Sequence, residues 1–147
     1  MTAGPYALVY PMFAMVLLTG FVLVRLFRSR VRAVKAGQLA ASYFRLYQGA
    51  LEPETTAKHS RHFSNLFEAP TLFYAVCLAA MVAHQASVPI NVLAWAYVAA
   101  RIAHAAIHLG PNRLRWRIRA YFASWLVLGA MWVNLVIAVA TSGHGQG

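Results

Sequence analysis

Three long stretches of this 147-residue chain carry no Asp, Glu, Lys or Arg: Met1–Val24, Ala69–Ala100 and Ala120–Gly147. A bilayer core about 30 Å thick is crossed by about 20 consecutive, mostly apolar residues in a helix, and every stretch reaches that length. The second is long enough for two crossings and is interrupted by His84-Gln-Ala-Ser-Val-Pro-Ile-Asn91, so it divides into two helices with a short link. The pattern predicts an all-α membrane protein. Its four transmembrane helices, about 5–27, 63–84, 90–109 and 119–141, form a four-helix bundle in a single domain, 1–147. Composition agrees: 11% of residues are charged, against about 25% in a typical soluble domain.

The cations are placed to orient such a bundle. Net charge is +10, from 13 Lys and Arg against Glu52, Glu54 and Glu68. Such a balance can mark a nucleic-acid binder, but here the cations follow the helices. They lie at the end of helix one, in the loop after it, at the start of helix two, or in the inner half of helix three and the loop beyond. That is the positive-inside asymmetry, which puts both termini outside and the 28–62 and 110–118 loops in the cytoplasm. A cleaved signal peptide has its positive charge before the apolar run; here Arg25, Arg28, Arg30, Arg32 and Lys35 come after it. The single Cys77 falls in mid-helix, where a lone cysteine packs as a small apolar residue.

The second helix carries the chemistry. Ala69–Ala83 is only 15 residues, so the span must recruit back to Ser64 or Asn65. Glu68 and Asn65 then lie inside the hydrocarbon boundary with Arg61 at its edge, and polar groups there are functional candidates by default. Arg61, Asn65 and Glu68 are four and three residues apart and share one stripe of a helix. On helix three, Arg101, His104 and His108 form a second stripe. Arg101 lies about 13 Å in from the helix end at about 1.5 Å per residue. Such an arginine needs a partner, and Glu68 is the only acidic residue in any span, so the two are expected to face each other or share a hydrogen-bonded network. The competing reading is an ion pair that only fixes helix register.

Beyond these stripes lies a basic entrance, Arg113, Arg115, Arg117 and Arg119, with Tyr121 one turn past Arg117. One carboxylate, one amide and several guanidiniums suit a zwitterionic, net-anionic ligand, its carboxylates held by arginine and its ammonium by Glu68. Among the histidines, His84 and His144 fall on the outer side, His59 and His62 at the interface. His104 and His108 are candidates for the site or for polar contacts between helices. No four-ligand metal set is expected, and no spacing demands haem.

Arg61-x-x-x-Asn65-x-x-Glu68 followed by Pro70, then Arg101-x-x-His104-x-x-x-His108 and an arginine-rich turn into helix four, resembles the MAPEG family. These are the membrane-associated proteins in eicosanoid and glutathione metabolism, and the resemblance covers essentially the whole chain. It implies a left-handed bundle assembled as a homotrimer in the lipid bilayer, with glutathione as co-substrate between subunits near the cytoplasmic end. By matched position, Arg61, Asn65, Glu68, Arg101 and His104 hold the tripeptide, Tyr121 is a possible donor, and the thiol-activating arginine is Arg117 or Arg115. A further arginine comes from the end of helix one, Arg25 or Arg28. His108 stands where family enzymes have tyrosine, Ser64 replaces an arginine of some members, and Pro70 comes one residue early. The implied function is a glutathione transferase or peroxidase acting on lipophilic electrophiles, in a bacterial inner membrane or a eukaryotic ER-type membrane. The alternative is a non-catalytic lipid-binding or scaffold protein of the same fold, and no nucleic-acid partner is expected.

Overall fold

The apolar stretches all form helices, and the helices continue past their apolar ends. The computed structural model describes residues 4, 6–49 and 51–143. Residue 5, where the first helix is expected to begin, and His144 lie outside them. In chain order the elements are α1 (Val9–Lys35), α2 (Tyr43–Leu46), α3 (Glu54–Asn65), α4 (Ala69–Val82), α5 (Val88–Leu109) and α6 (Leu114–Gly143). Four segments are long and apolar enough to cross a membrane: Val9–Lys35, Glu54–Val82 (α3 with α4), Val88–Leu109 and Leu114–Ser142. This is a multi-pass membrane protein built as a four-helix bundle.

Three boundaries differ from the sequence reading by five residues or more, the start of α6 (Leu114 rather than 119) among them, for one reason. A helix already nucleated gains a backbone hydrogen bond with every added residue, and Arg, Lys and Ala are good helix formers. So α1 runs to Lys35 rather than 27, and the second span starts at Glu54 rather than 63. Much of the expected 28–62 loop is therefore helix, and the loop proper is 36–53 with the short α2 inside it.

The second span is broken. Pro70, in the first turn of α4, offers no N–H to continue the ladder and its ring crowds the preceding turn. Glu68 leaves helical geometry (φ −89°, ψ −92°). The gap is closed by tighter bonds, Leu66 N–H to the Phe63 carbonyl (3.0 Å) and Phe67 N–H to the Ser64 carbonyl (2.9 Å). Like any helix end, the end of α3 leaves carbonyls without intrahelical partners.

Between α4 and α5 the core is held by Phe73 stacked on Tyr97, centroids 4.5 Å apart and 10° from parallel. Met15 and Val22 of α1 and Leu128 and Met131 of α6 close it. The outward faces of α1 and α6 expose Phe13, Leu17, Phe21, Phe122, Leu126 and Ile137. Water-soluble monomers rarely expose so continuous an apolar surface, and it suits a bilayer or a neighbouring copy.

The turn from α5 to α6 is constrained at every position. A Cβ on Gly110 would meet the Ala106 carbonyl oxygen at 2.7 Å, so only glycine closes α5 this way. Asn112 then takes a left-handed conformation (φ 49°), which asparagine tolerates better than most residues. Lys58 of α3 donates to the Gly110 carbonyl (3.1 Å) and ties this turn to the second span.

Candidate functional site

A cavity of about 770 Å³ opens where α3, α5 and the start of α6 meet. Its wall takes Arg61, Asn65 and Glu68 from the broken span, His104 and His108 from α5, and Arg117 and Tyr121 from α6. The Arg61–Asn65–Glu68 stripe, the two histidines of the α5 stripe and one arginine of the α6 entrance thus share one space, without Arg101, Arg113 or Arg119. The chain's three carboxylates, Glu52, Glu54 and Glu68, all line it too.

Arg117 is fixed at both ends. Its Nη1 donates to Asn112 Oδ1 (3.0 Å) and lies 3.3 Å from His108 Nδ1, which is itself 3.2 Å from Asn112 Oδ1. Its backbone carbonyl accepts from His104 Nδ1 (3.2 Å). A carbonyl can only accept, so His104 carries a proton on Nδ1, and in the neutral ring Nε2 is then the acceptor. The Nε2 atoms of His104 and His108 are buried without a partner. Buried polar atoms in native proteins are nearly always paired, so these two are free for a ligand or for water. Tyr121 packs beside His104, ring centroids 5.7 Å apart.

The expected pairing of Glu68 with Arg101 does not form. Arg101 is fully buried and its Nη2 donates to the Asn65 backbone carbonyl (3.0 Å), while Nε and Nη1 have no partner. The helix break explains the exchange: it frees the Asn65 carbonyl within reach of Arg101 and leaves Glu68 exposed on the cavity wall. Arg101 therefore supports the site from behind rather than lining it.

Other candidate residues fall elsewhere in the chain. Arg115 is exposed and does not line the cavity, which leaves Arg117 as the α6 guanidinium facing it. Arg28 lies in a separate basic cavity with Arg25, Arg32 and Lys58. His62 is fully buried, with its ring 5.4 Å from that of His104 and 5.0 Å from that of His108. His59 is buried as well and donates Nδ1–H to the Thr55 carbonyl (2.6 Å). Among the described residues no group of three or more His, Cys, Asp or Glu is arranged to hold a metal ion.

Sequence reasoning missed Asn112, which orients Arg117. Its signal was the Gly110-Pro111-Asn112 turn, where a left-handed asparagine presents its amide next to the helix ends it joins. Lys58, Glu52 and Glu54 at the cavity mouth were also missed, because that segment reads as loop when the helix is started at 63.

The MAPEG family model matches residues 8–137, most of the chain. The protein belongs to the MAPEG family. No curated protein and no solved structure matches it.

Proposed function

We propose that this protein binds glutathione in the cavity between α3, α5 and α6 and directs its thiolate at lipophilic electrophiles, as a membrane transferase or peroxidase. The observation that carries the reading is Arg117, aimed at the cavity beside Tyr121 and held by Asn112, His108 and His104. Glutathione has two carboxylates, an ammonium and a thiol. The cavity offers matching groups: the Arg61 and Arg117 guanidiniums for carboxylate or thiolate, Glu68 for the ammonium, the Asn65 amide for the peptide backbone. Its volume of about 770 Å³ falls in the ordinary range for small-molecule sites, about 300–1,000 Å³.

A free thiol has a pKa of about 8.5 and is mostly protonated at neutral pH, whereas a neighbouring cation brings it to about 7 or below. In a cleft shielded by lipid the guanidinium acts at low dielectric, which strengthens the effect. A lipophilic electrophile reaches the cleft sideways from the bilayer. With the basic loops in the cytoplasm, the cavity draws on cytosolic glutathione, and neighbouring copies in a homotrimer complete its open side.

Adding glutathione to the detergent-solubilised chain should raise the ultraviolet absorbance of the thiolate at neutral pH. Arg117→Ala should abolish that signal, and Arg115→Ala should leave it intact. An unchanged signal in Arg117→Ala rejects the assignment.

A further inference from the structure

On the other side of α3 lies a second pair of cavities, apart from the one lined by Arg61, Glu68 and Arg117; Arg25 and Arg28, the helix-one arginines that the resemblance offers for glutathione, line them. The first, about 640 Å³, is an apolar slot between α1 and α5, walled by Leu17, Leu18, Phe21, Ala105 and Ala106 and ending at Arg25. The second, about 620 Å³, continues from it, sharing Arg25 and Leu109, and is walled by Arg28, Arg32 and Lys58. Arg25, Arg28 and Arg32 line this second cavity with Lys58, which borders both cavities; no carboxylate lines it, since Glu52, Glu54 and Glu68 all line the cavity across α3. Counter-charge must come from outside the chain.

Dimensions say what kind of molecule supplies it. The α1 wall of the slot runs from Ala14 to Arg25, roughly 16 Å of helix at about 1.5 Å per residue. That is about half of a bilayer core roughly 30 Å thick, the depth of one leaflet. Arg32 stands about 10 Å further along the same helix, in the headgroup layer. An apolar trough one leaflet deep, opening at its wet end into an uncompensated cluster of guanidiniums, matches an acyl chain joined to a phosphate.

We propose that the α1–α5 groove and its basic mouth form a site for one anionic phospholipid of the adjoining leaflet. The acyl chain lies along Leu17, Leu18 and Ala106, and the phosphate sits among Arg25, Arg32 and Lys58. This differs from the diffuse attraction of basic loops for anionic membranes, because the slot fixes one lipid in place. It does not depend on glutathione binding at the other cavity.

The test is native mass spectrometry of the full chain, released from detergent containing equal amounts of dioleoyl phosphatidylglycerol and dioleoyl phosphatidylcholine. The chain should retain one phosphatidylglycerol in clear preference. Arg32→Gln should reduce that retention about fivefold, the effect of losing one cation near the headgroup layer, and leave phosphatidylcholine unchanged. Ala106→Trp fills the slot from an exposed position and should remove the bound lipid without affecting glutathione binding. Equal retention of the two lipids, or indifference to both variants, overturns the proposal. Two further results do so as well. Displacement of the phosphatidylglycerol by millimolar glutathione would assign these cations to the thiol site. A disulfide between two copies carrying Leu17→Cys would show that a second chain covers the groove.

Discussion

At the scale of single residues, the cavity depends on side chains that hold other side chains. Arg117 is useful only if its guanidinium is aimed, and Asn112 Oδ1 aims it. Asn112→Ala removes a hydrogen bond to a charged group, worth about 1.5–3 kcal/mol. The expected outcome is at least a tenfold loss of glutathione turnover with the fold intact, measured as steady-state rate beside the thermal midpoint; an equal loss of both would mean a purely structural role. Glu68→Gln keeps the shape of the cavity wall and removes its charge. Because Glu68 does not pair with Arg101, the midpoint should move by less than about 1 kcal/mol in equivalent stability, the ordinary cost of an exposed substitution, while the KM for glutathione rises. A collapse of stability would restore the ion pair. The pairs Arg61–Asn65 and His104–His108 were legible in the sequence because helical spacing alone puts their members on one face, whereas Glu68 reaches the same wall through the helix break. The bond from Arg101 to the Asn65 carbonyl was not legible, since a backbone acceptor leaves no mark in the side-chain pattern. His62 was hidden for a related reason: its burial follows from α3 starting at Glu54, nine residues before the expected helix start at 63.

At the scale of elements, two irregularities place the site. Pro70 splits the second span and turns Glu68 toward the cavity. In Pro70→Ala the backbone N–H returns and the helix can close, which should raise stability and weaken glutathione binding together. A calorimetric titration beside a thermal melt distinguishes this from simple damage, which would lower both. Gly110 closes α5 at the second irregularity. In Gly110→Ala the new methyl group meets backbone at 2.7 Å, and a carbonyl at a helix end cannot retreat without unwinding the last turn. A loss of about 1–3 kcal/mol is expected, read as a fall of several degrees in the melting midpoint. No change would mean that the turn has freedom its geometry denies. The four spans themselves were readable from uncharged runs, because bilayer thickness sets a hard length. Their ends were not, because nothing in water stops a helix of Arg, Ala and Lys from continuing.

At the scale of the whole molecule, the chain places its charges on two sides of α3: every carboxylate on the cavity assigned to glutathione, and an uncompensated cation cluster on the other. The outward faces of α1 and α6 are apolar along most of their length, so the bundle meets either lipid or other copies of itself there. If the bundle assembles as the homotrimer proposed above, chemical cross-linking in native membranes gives dimer and trimer bands and nothing larger. The central claim is that the α3–α5–α6 cavity is a glutathione site, and isothermal titration calorimetry of glutathione into the detergent-solubilised chain tests it most directly. The account predicts saturable binding, one tripeptide per chain, lost in Arg117→Ala and weakened in Glu68→Gln. Absence of heat at millimolar glutathione in the folded wild-type chain would contradict it and leave the bundle as a lipid-binding scaffold.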